Sequence, residues 1–254
     1  MTEPSGNRGR RALVTGGSRG IGAAIATRLA SEGYRVAVHY ARSGGSARQV
    51  HAELEGEGHL VVQADLRDPL QARAMVDEAA EAWGGIDVLV NNAGVFLAHP
   101  IDDTGYEAWQ EIWRETLEVN VVGPANVTWA AVRHMGPGAR IINIGSRGAF
   151  RGEPDSPAYG ASKAAIAALG QSLAKDLGRR GIAVTTVAPG FVDTDMATEA
   201  MAGGAGVGRR AESPFGRIAH AEEVAAAVAY LASPEAEWAS GGILDLNGAS
   251  YLRM

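Results

Sequence analysis

The chain contains no cysteine, which excludes a disulfide framework, a thiolate metal site and a cysteine nucleophile. It also lacks an excess of positive charge. The formal net charge is −6, opposite in sign to the surface that nucleic acid requires. No apolar run approaches the roughly 20 residues that cross a bilayer. The stretch from Met1 to Arg11 is polar and basic with no apolar segment behind it, unlike a secretory signal. These absences predict a cytoplasmic protein with neither nucleic acid nor membrane as partner. The six histidines (His39, His51, His59, His99, His134 and His220) show no metal-ligand spacing on a helix. They read as surface or loop residues, and no metal is expected. A local absence says more: from Gly33 to Ala52 there is no Asp or Glu.

What is present is a pattern of alternation. Hydrophobic residues make up 46% of the 254 and charged residues 20%, enough for a sizeable core and too apolar for disorder. Short apolar runs at Ala12–Thr15, Arg35–Tyr40, Leu60–Ala64, Ile86–Asn91, Arg140–Gly145, Ala183–Ala188 and Ile243–Leu246 read as strands. Alanine-rich segments between them read as helices, including Gly20–Ser31, Pro69–Trp83, Tyr106–Met135, Pro157–Gly178 and Ala221–Ala232. Continuous apolar strands separated by helices predict a parallel sheet covered on both faces, the doubly wound α/β class. One domain over 11–254 is expected, after a flexible N-terminus of residues 1–10. The tract Ala202 to Gly208, rich in glycine, reads as a mobile loop.

The first strand runs into Thr15-Gly16-Gly17-Ser18-Arg19-Gly20-Ile21-Gly22 and then a helix. Glycines let a backbone approach a pyrophosphate, whose charge the helix N-terminus meets. A tight turn of other purpose is the plainer alternative. An acid near the end of the second strand usually binds the NAD ribose. Here that region reads Tyr40-Ala41-Arg42-Ser43, and Arg19 stands inside the glycine loop. Two guanidiniums and no carboxylate suit a 2′-phosphate, so NADP(H) is preferred, with NAD(H) possible. The plainer alternative for Arg42 is an ordinary solvated residue. Asp65-Leu66 follows the third strand and Asn92-Ala93-Gly94 the fourth, at carboxyl ends where ligands gather. Asp65 would accept from an adenine amine or cap the helix that begins at Pro69.

Tyr159 and Lys163 stand four residues apart, on one face of a helix. A free phenol has a pKa near 10, and a neighbouring ammonium favours its ionised form. Ser146 lies thirteen residues before the tyrosine.

Thr15-Gly16-x-x-x-Gly20-Ile21-Gly22, Asn91-Asn92-Ala93-Gly94, Asn120, Ser146, Tyr159-x-x-x-Lys163 and Pro189-Gly190 follow the order of the short-chain dehydrogenase/reductase family. The chain resembles that family from about Arg11 to Leu246, and within it the 3-oxoacyl-acyl-carrier-protein reductases. The resemblance implies a single Rossmann-type domain with seven parallel strands. It implies catalysis by Asn120, Ser146, Tyr159 and Lys163. Tyr159 would act as general acid or base, Lys163 would lower its pKa and bind the nicotinamide ribose, and Ser146 would polarise the carbonyl. Asn120 would anchor a water of the proton relay. Gly16, Ser18, Arg19, Gly20, Ile21, Gly22, Tyr40, Arg42, Ser43, Asp65, Leu66, Asn92, Ala93, Gly94, Pro189, Gly190, Val192 and Thr194 would hold the cofactor together with Tyr159 and Lys163. A ketone or thioester substrate is implied, and a homotetramer or homodimer. An NAD-dependent alcohol, sugar or steroid dehydrogenase is the enzymatic alternative; a cofactor-binding sensor or scaffold without turnover is the other.

Two departures from the family pattern stand out, the first bearing on a structural hydrogen bond and the second on the substrate. Thr185 stands where the family has an asparagine. The segment before the serine strand, Met135 to Arg140, keeps one arginine in a glycine-proline turn, with Arg179 and Arg180 before the next strand. A carrier-bound thioester and a free small ketone therefore both fit. Arg147, Phe150 and Arg151 after the serine, with Met196, Met201 and Phe215, would line the substrate side. Either arginine would meet a carboxylate there or stand solvated in its loop. Trp109, Trp113 and Trp129 read as helix packing.

Overall fold

The computed structural model describes residues 9–194, 208 and 210–253. Met196, Met201 and the glycine-rich tract as far as Val207 lie outside them, as does the chain before residue 9. Seven parallel strands form one sheet: β1 (Arg11–Val14), β2 (Arg35–Tyr40), β3 (Leu60–Gln63), β4 (Val88–Asn91), β5 (Arg140–Ile144), β6 (Ala183–Pro189) and β7 (Ile243–Leu246). Their spatial order is β3-β2-β1-β4-β5-β6-β7. The order reverses direction between β1 and β4, where Val14 lies beside Val90. A crevice opens outside the carboxyl ends of the strands at such a switch point.

Alternate strand residues face opposite layers. Ala12, Val14, Val88 and Val90 pack with α1 (Gly20–Ser31) and the helix Ala221–Ala232; Leu13 and Leu89 pack with α3 (Pro69–Trp83) on the other face. Both layers exclude water almost completely, which explains why the strands read as continuous apolar runs. Among the described residues, helix α2 (Gly44–Glu53) escaped the sequence reading: it buries only Ala47, so it has no apolar stripe to reveal it.

The single helix expected over Tyr106–Met135 is instead three pieces. Helix α4 (Tyr106–Leu117) passes into a π turn (Glu118–Val122) and then α5 (Gly123–Ala131). Pro124 supplies the reason. It has no N–H for the carbonyl of Asn120 four residues back, so the regular ladder cannot continue. The wider turn absorbs the mismatch, and single π turns of this kind often mark functional sites. A short α6 (Gly148–Arg151) follows β5, then α7 (Pro157–Leu177) and, after the undescribed segment, α8 (Ala221–Ala232). No helix among the described residues is long and apolar enough to cross a membrane.

Candidate active site

The glycine loop is held by main chain and short polar groups. Thr15 Oγ1 accepts from the backbone N–H of Asn92 at 2.9 Å and of Ala93 at 3.1 Å. Asn92 Nδ2 donates back to the carbonyls of Thr15 at 2.9 Å and Gly16 at 3.1 Å. A Cβ at Gly22 would lie 2.1 Å from the Gly16 oxygen, so no larger residue fits there. Helix α1 begins at this point with no acidic residue in its first turn and no side-chain cap from Arg19. Its first N–H groups therefore face the cleft with the positive end of the helix dipole, a setting for an anionic group.

His39 completes the loop and corrects the surface reading of the histidines. It is buried, its Nδ1 accepts from Gly16 N at 2.9 Å, and its Nε2 meets the Ala64 carbonyl at 3.0 Å. Those partners place the ring proton on Nε2. Burial pushes its pKa down to about 4, so it acts as a neutral strut between β1 and β3. Only the local pattern Val38-His39-Tyr40 could have signalled it: a polar residue inside an otherwise apolar strand.

Every residue expected to touch the cofactor lines one cleft of about 450 Å³, a size usual for small-molecule sites. Arg19, Arg42 and Ser43 are exposed at its rim beyond β2. Asp65 shares that rim, but the idea that it caps α3 is overturned. The cap is Asp68, whose Oδ1 accepts from Leu70 N at 2.9 Å and Gln71 N at 3.3 Å. Asp65 is instead paired with Arg67 at 2.5 Å, and the guanidinium holds its pKa down at about 2. Thr194, far along the chain, closes the other side: its methyl carbon is 3.2 Å from the place where a side chain on Gly20 would begin.

At the inner end stand Ser146, Tyr159 and Lys163. Ser146 follows β5, and its Oγ accepts from Gly148 N at 3.0 Å and hydrogen-bonds the Tyr159 hydroxyl. Tyr159 and Lys163 share one face in the first two turns of α7. Lys163 Nζ donates to the Ile144 carbonyl at 2.8 Å and lies 5.6 Å from the centre of the tyrosine ring. Phe96 meets that ring edge-on at 4.8 Å. The expectation that Lys163 lowers the phenol pKa is not met by the protein's own groups. Burial pushes Tyr159 up to about 12, the Ser146 bond pulls it down, and the charge of Glu153 pushes it up further. Burial also lowers Lys163, to about 8. Desolvation is the largest influence on each of the two groups.

Asn120 lies behind the cleft, in the π turn. Its Oδ1 accepts from Val95 N at 2.8 Å, and its Nδ2 donates to Val95 O and Ser162 Oγ, each at 3.0 Å. The amide thus ties the loop after β4 to α7, and one lone pair on Oδ1 remains. His99 steadies the same helix. Fully buried, it accepts at Nε2 from Ala158 N at 3.1 Å, one residue before Tyr159. Trp109 meets it edge-on at 5.3 Å and packs at a tilt against Trp113 at 5.9 Å. Trp129 departs from the packing reading: it is 51% exposed and carries the Arg133 guanidinium over its ring.

Beyond Ser146 the wall is charged. Arg147 is neither solvated nor open to a substrate carboxylate. It is buried, pairs with Glu212 and lies 4.7 Å above the Phe191 ring. Arg151 reaches the same Glu212 carboxylate at 3.1 Å and Glu153 at 3.6 Å. Neither glutamate was legible in sequence: Glu212 is reached from residues 65 and 61 positions earlier, and Glu153, beside Arg151, follows no periodic pattern. Arg140 sits at the opposite end of β5 from Ser146, buried and bonded to the carbonyls of Ser233 and Pro234 at 3.2 Å each.

The chain matches the family model described as enoyl-(acyl carrier protein) reductase over residues 16–248. It is 39% identical over 244 residues to an uncharacterised oxidoreductase of Methylorubrum extorquens, covering 94% of this chain and 97% of that protein. With the 3-oxoacyl-[acyl-carrier-protein] reductase FabG of Staphylococcus aureus it shares 36% identity over 247 residues, 96% of this chain and 98% of that one. Among solved structures, a short chain dehydrogenase from Burkholderia cenocepacia in complex with NADP superposes with a TM-score of 0.89 at 43% identity. That match covers 96% of this chain and 98% of the other.

Proposed function

This chain belongs to the short-chain dehydrogenase/reductase family of oxidoreductases, and from that premise we propose that it reduces a small ketone to a secondary alcohol with NADPH. The observation that carries the reading is the convergence of Ser146, Tyr159 and Lys163 with the glycine cradle in one cleft. NADP is bound by the Burkholderia relative. Here Arg19 and Arg42 would meet a 2′-phosphate, the N–H groups of Gly20 to Gly22 a pyrophosphate, and Lys163 a ribose hydroxyl. Bound in this cleft, NADPH would supply the hydride.

The protein's own part is proton delivery and alignment. The Ser146 and Tyr159 hydroxyls stand within hydrogen-bond reach of each other, so both could donate to one carbonyl oxygen. A phenol with a pKa of about 12 is protonated near neutrality, the state a general acid needs. Lys163, at about 8, is the stronger acid of the two, so a proton passes downhill from it to restore a spent phenolate. The link runs through an intervening hydroxyl or water. Asn120 supports that relay from behind, with its free Oδ1 lone pair and a main-chain carbonyl that Pro124 cannot satisfy.

A free small ketone fits better than a carrier-bound thioester. Arg140, the one cation kept before the serine strand, is buried and lies at the far end of β5 from the cleft. The test is a panel of acetoacetyl thioesters, quinones, diketones and keto sugars, followed by NADPH oxidation and repeated with NADH. Turnover of free ketones with higher kcat/KM for NADPH is expected. A clear preference for NADH, or turnover of carrier-bound substrates alone, would contradict the reading.

A further inference from the structure

Helix α7 carries Tyr159 in its first turn, yet the residue at its N-cap does not cap it. Ser156 makes no side-chain cap bond, and its buried Oγ has no hydrogen-bond partner among the described residues. Pro157, next in the chain, has no N–H to offer. The first orphan donor of the helix is therefore Ala158 N, immediately before the tyrosine. It donates to His99 Nε2 at 3.1 Å, across 59 residues of chain. The imidazole takes the place that a serine or aspartate side chain at the N-cap usually fills.

His99 is itself tightly held. It is fully buried, its Nδ1 donates to the Leu97 carbonyl at 2.8 Å, and its backbone N–H donates to Asp155 O at 2.7 Å. A neutral ring with its proton on Nδ1 satisfies both ring contacts. Trp109 meets the ring edge-on at 5.3 Å. The loop that His99 anchors runs from the end of β4 along the reacting groups. A Cβ on Gly94 would lie 3.6 Å from Lys163 Nζ, Val95 N donates to Asn120 Oδ1 at 2.8 Å, and Phe96 meets the Tyr159 ring at 4.8 Å. Asn120 ties this loop to Ser162, and His99 ties it to the residues on either side of Pro157.

We propose that His99 is a positioning residue for proton transfer: by capping α7 from the loop after β4, it sets where the Tyr159 hydroxyl stands relative to Ser146. This rests on the carbonyl-reductase reading. Proton donation is sensitive to such placement, since a shift of about 1 Å at a reacting group can lower a rate about 10²-fold. Cofactor binding is not, because the glycine loop that would hold the phosphates is fixed by Thr15, Asn92 and His39.

The experiment sets His99→Gln against His99→Asn, two polar variants that each keep one of the two ring bonds. Glutamine reaches as far as Nε2 and keeps an acceptor for Ala158; asparagine reaches only as far as Nδ1 and keeps a donor for Leu97. Three quantities are measured for both, for the wild type and for Tyr159→Phe: kcat with the best ketone of the panel, its solvent deuterium isotope effect, and NADPH affinity by fluorescence titration. His99→Asn should lower kcat about tenfold or more and enlarge the isotope effect, with NADPH affinity changed less than about twofold. His99→Gln should recover most of the loss. His99→Phe keeps a ring against Trp109 but no acceptor; it carries the same expectation and replaces the asparagine variant if that one does not fold. Equal kcat in the asparagine and glutamine variants, or kcat and NADPH affinity falling together, would make His99 a packing residue and overturn the proposal. Failure of all three variants to fold would overturn it too, since the ring would then hold the fold and not the tyrosine. If Tyr159→Phe is inactive while His99→Asn keeps full turnover, the proposal fails alone. Full turnover by Tyr159→Phe removes the assigned acid, and the proposal with it.

Discussion

The wall of the cleft formed by β1, β2 and β4 is made of main chain, glycine and short polar side chains close in sequence or in adjacent strands. Thr15, Asn92 and His39 fix it with backbone hydrogen bonds of 2.9 to 3.2 Å. The wall beyond Ser146 is made of long charged side chains that meet across the fold. Arg147 and Arg151 reach a glutamate 65 and 61 residues further on. The first construction recognises what all dinucleotides share and tolerates almost no substitution. The second can exchange one ion pair for another without disturbing the sheet, so it is the place where substrate choice can vary.

That contrast is open to attack, most severely at Gly22. Gly22→Ala forces a Cβ to 2.1 Å from the Gly16 oxygen. A loss of more than about 3 kcal/mol in unfolding free energy is expected, with NADPH binding abolished by fluorescence titration. A well-folded variant that binds normally would show the loop to be more pliable than its contacts imply.

Lys163 gives the next effect, and its sign is fixed. Its folded value of about 8 lies below the unfolded 10.5, so between those values the unfolded chain holds more protons. Wild-type stability should therefore rise with pH across that window relative to Lys163→Met, by roughly 3 kcal/mol in denaturant titrations. A flat difference would mean that the ammonium stays charged in the folded protein.

On the charged wall, Glu212→Gln leaves the buried Arg147 without its counter-charge. Because Glu212 is itself 29% exposed at the side chain, the penalty should be discounted to about 2 kcal/mol. NADPH affinity should not change. Loss of cofactor binding in this variant would join the two walls that the contrast separates. The smallest effect is expected at the exposed Arg42. Arg42→Ala should raise the KM for NADPH about tenfold and leave that for NADH nearly unchanged, the weight of one charge-assisted contact at the rim.

The same contrast explains what the sequence could disclose. Helices Gly20–Ser31, Pro69–Trp83 and Ala221–Ala232 have the bounds that their apolar spacing implies, and the strands fall within two residues of theirs. Buried periodicity is a local property and leaves a local trace. Every residue expected to hold the cofactor lines the cleft for the same reason: motifs at strand ends converge once the sheet order is set. Glu153, Glu212 and His99 left no such trace. Glu212 and His99 acquire their surroundings from chain remote in sequence, as when His99 meets Ala158 across 59 residues, while Glu153 packs on the neighbouring Gly148 and Arg151, a contact that no apolar pattern encodes. Helix α2 was silent because solvent covers nearly all of it, and the π turn because Pro124 acts on a hydrogen bond that no pattern of apolar residues encodes.

Proton donation by Tyr159 is the step on which reduction would depend most directly. The decisive measurement is turnover of a reducible ketone by Tyr159→Phe, with NADPH affinity determined on the same preparation. A fall in kcat of about 10²–10⁴ with NADPH binding largely preserved is the expected result. Substantial turnover by that variant would show that the acid lies elsewhere.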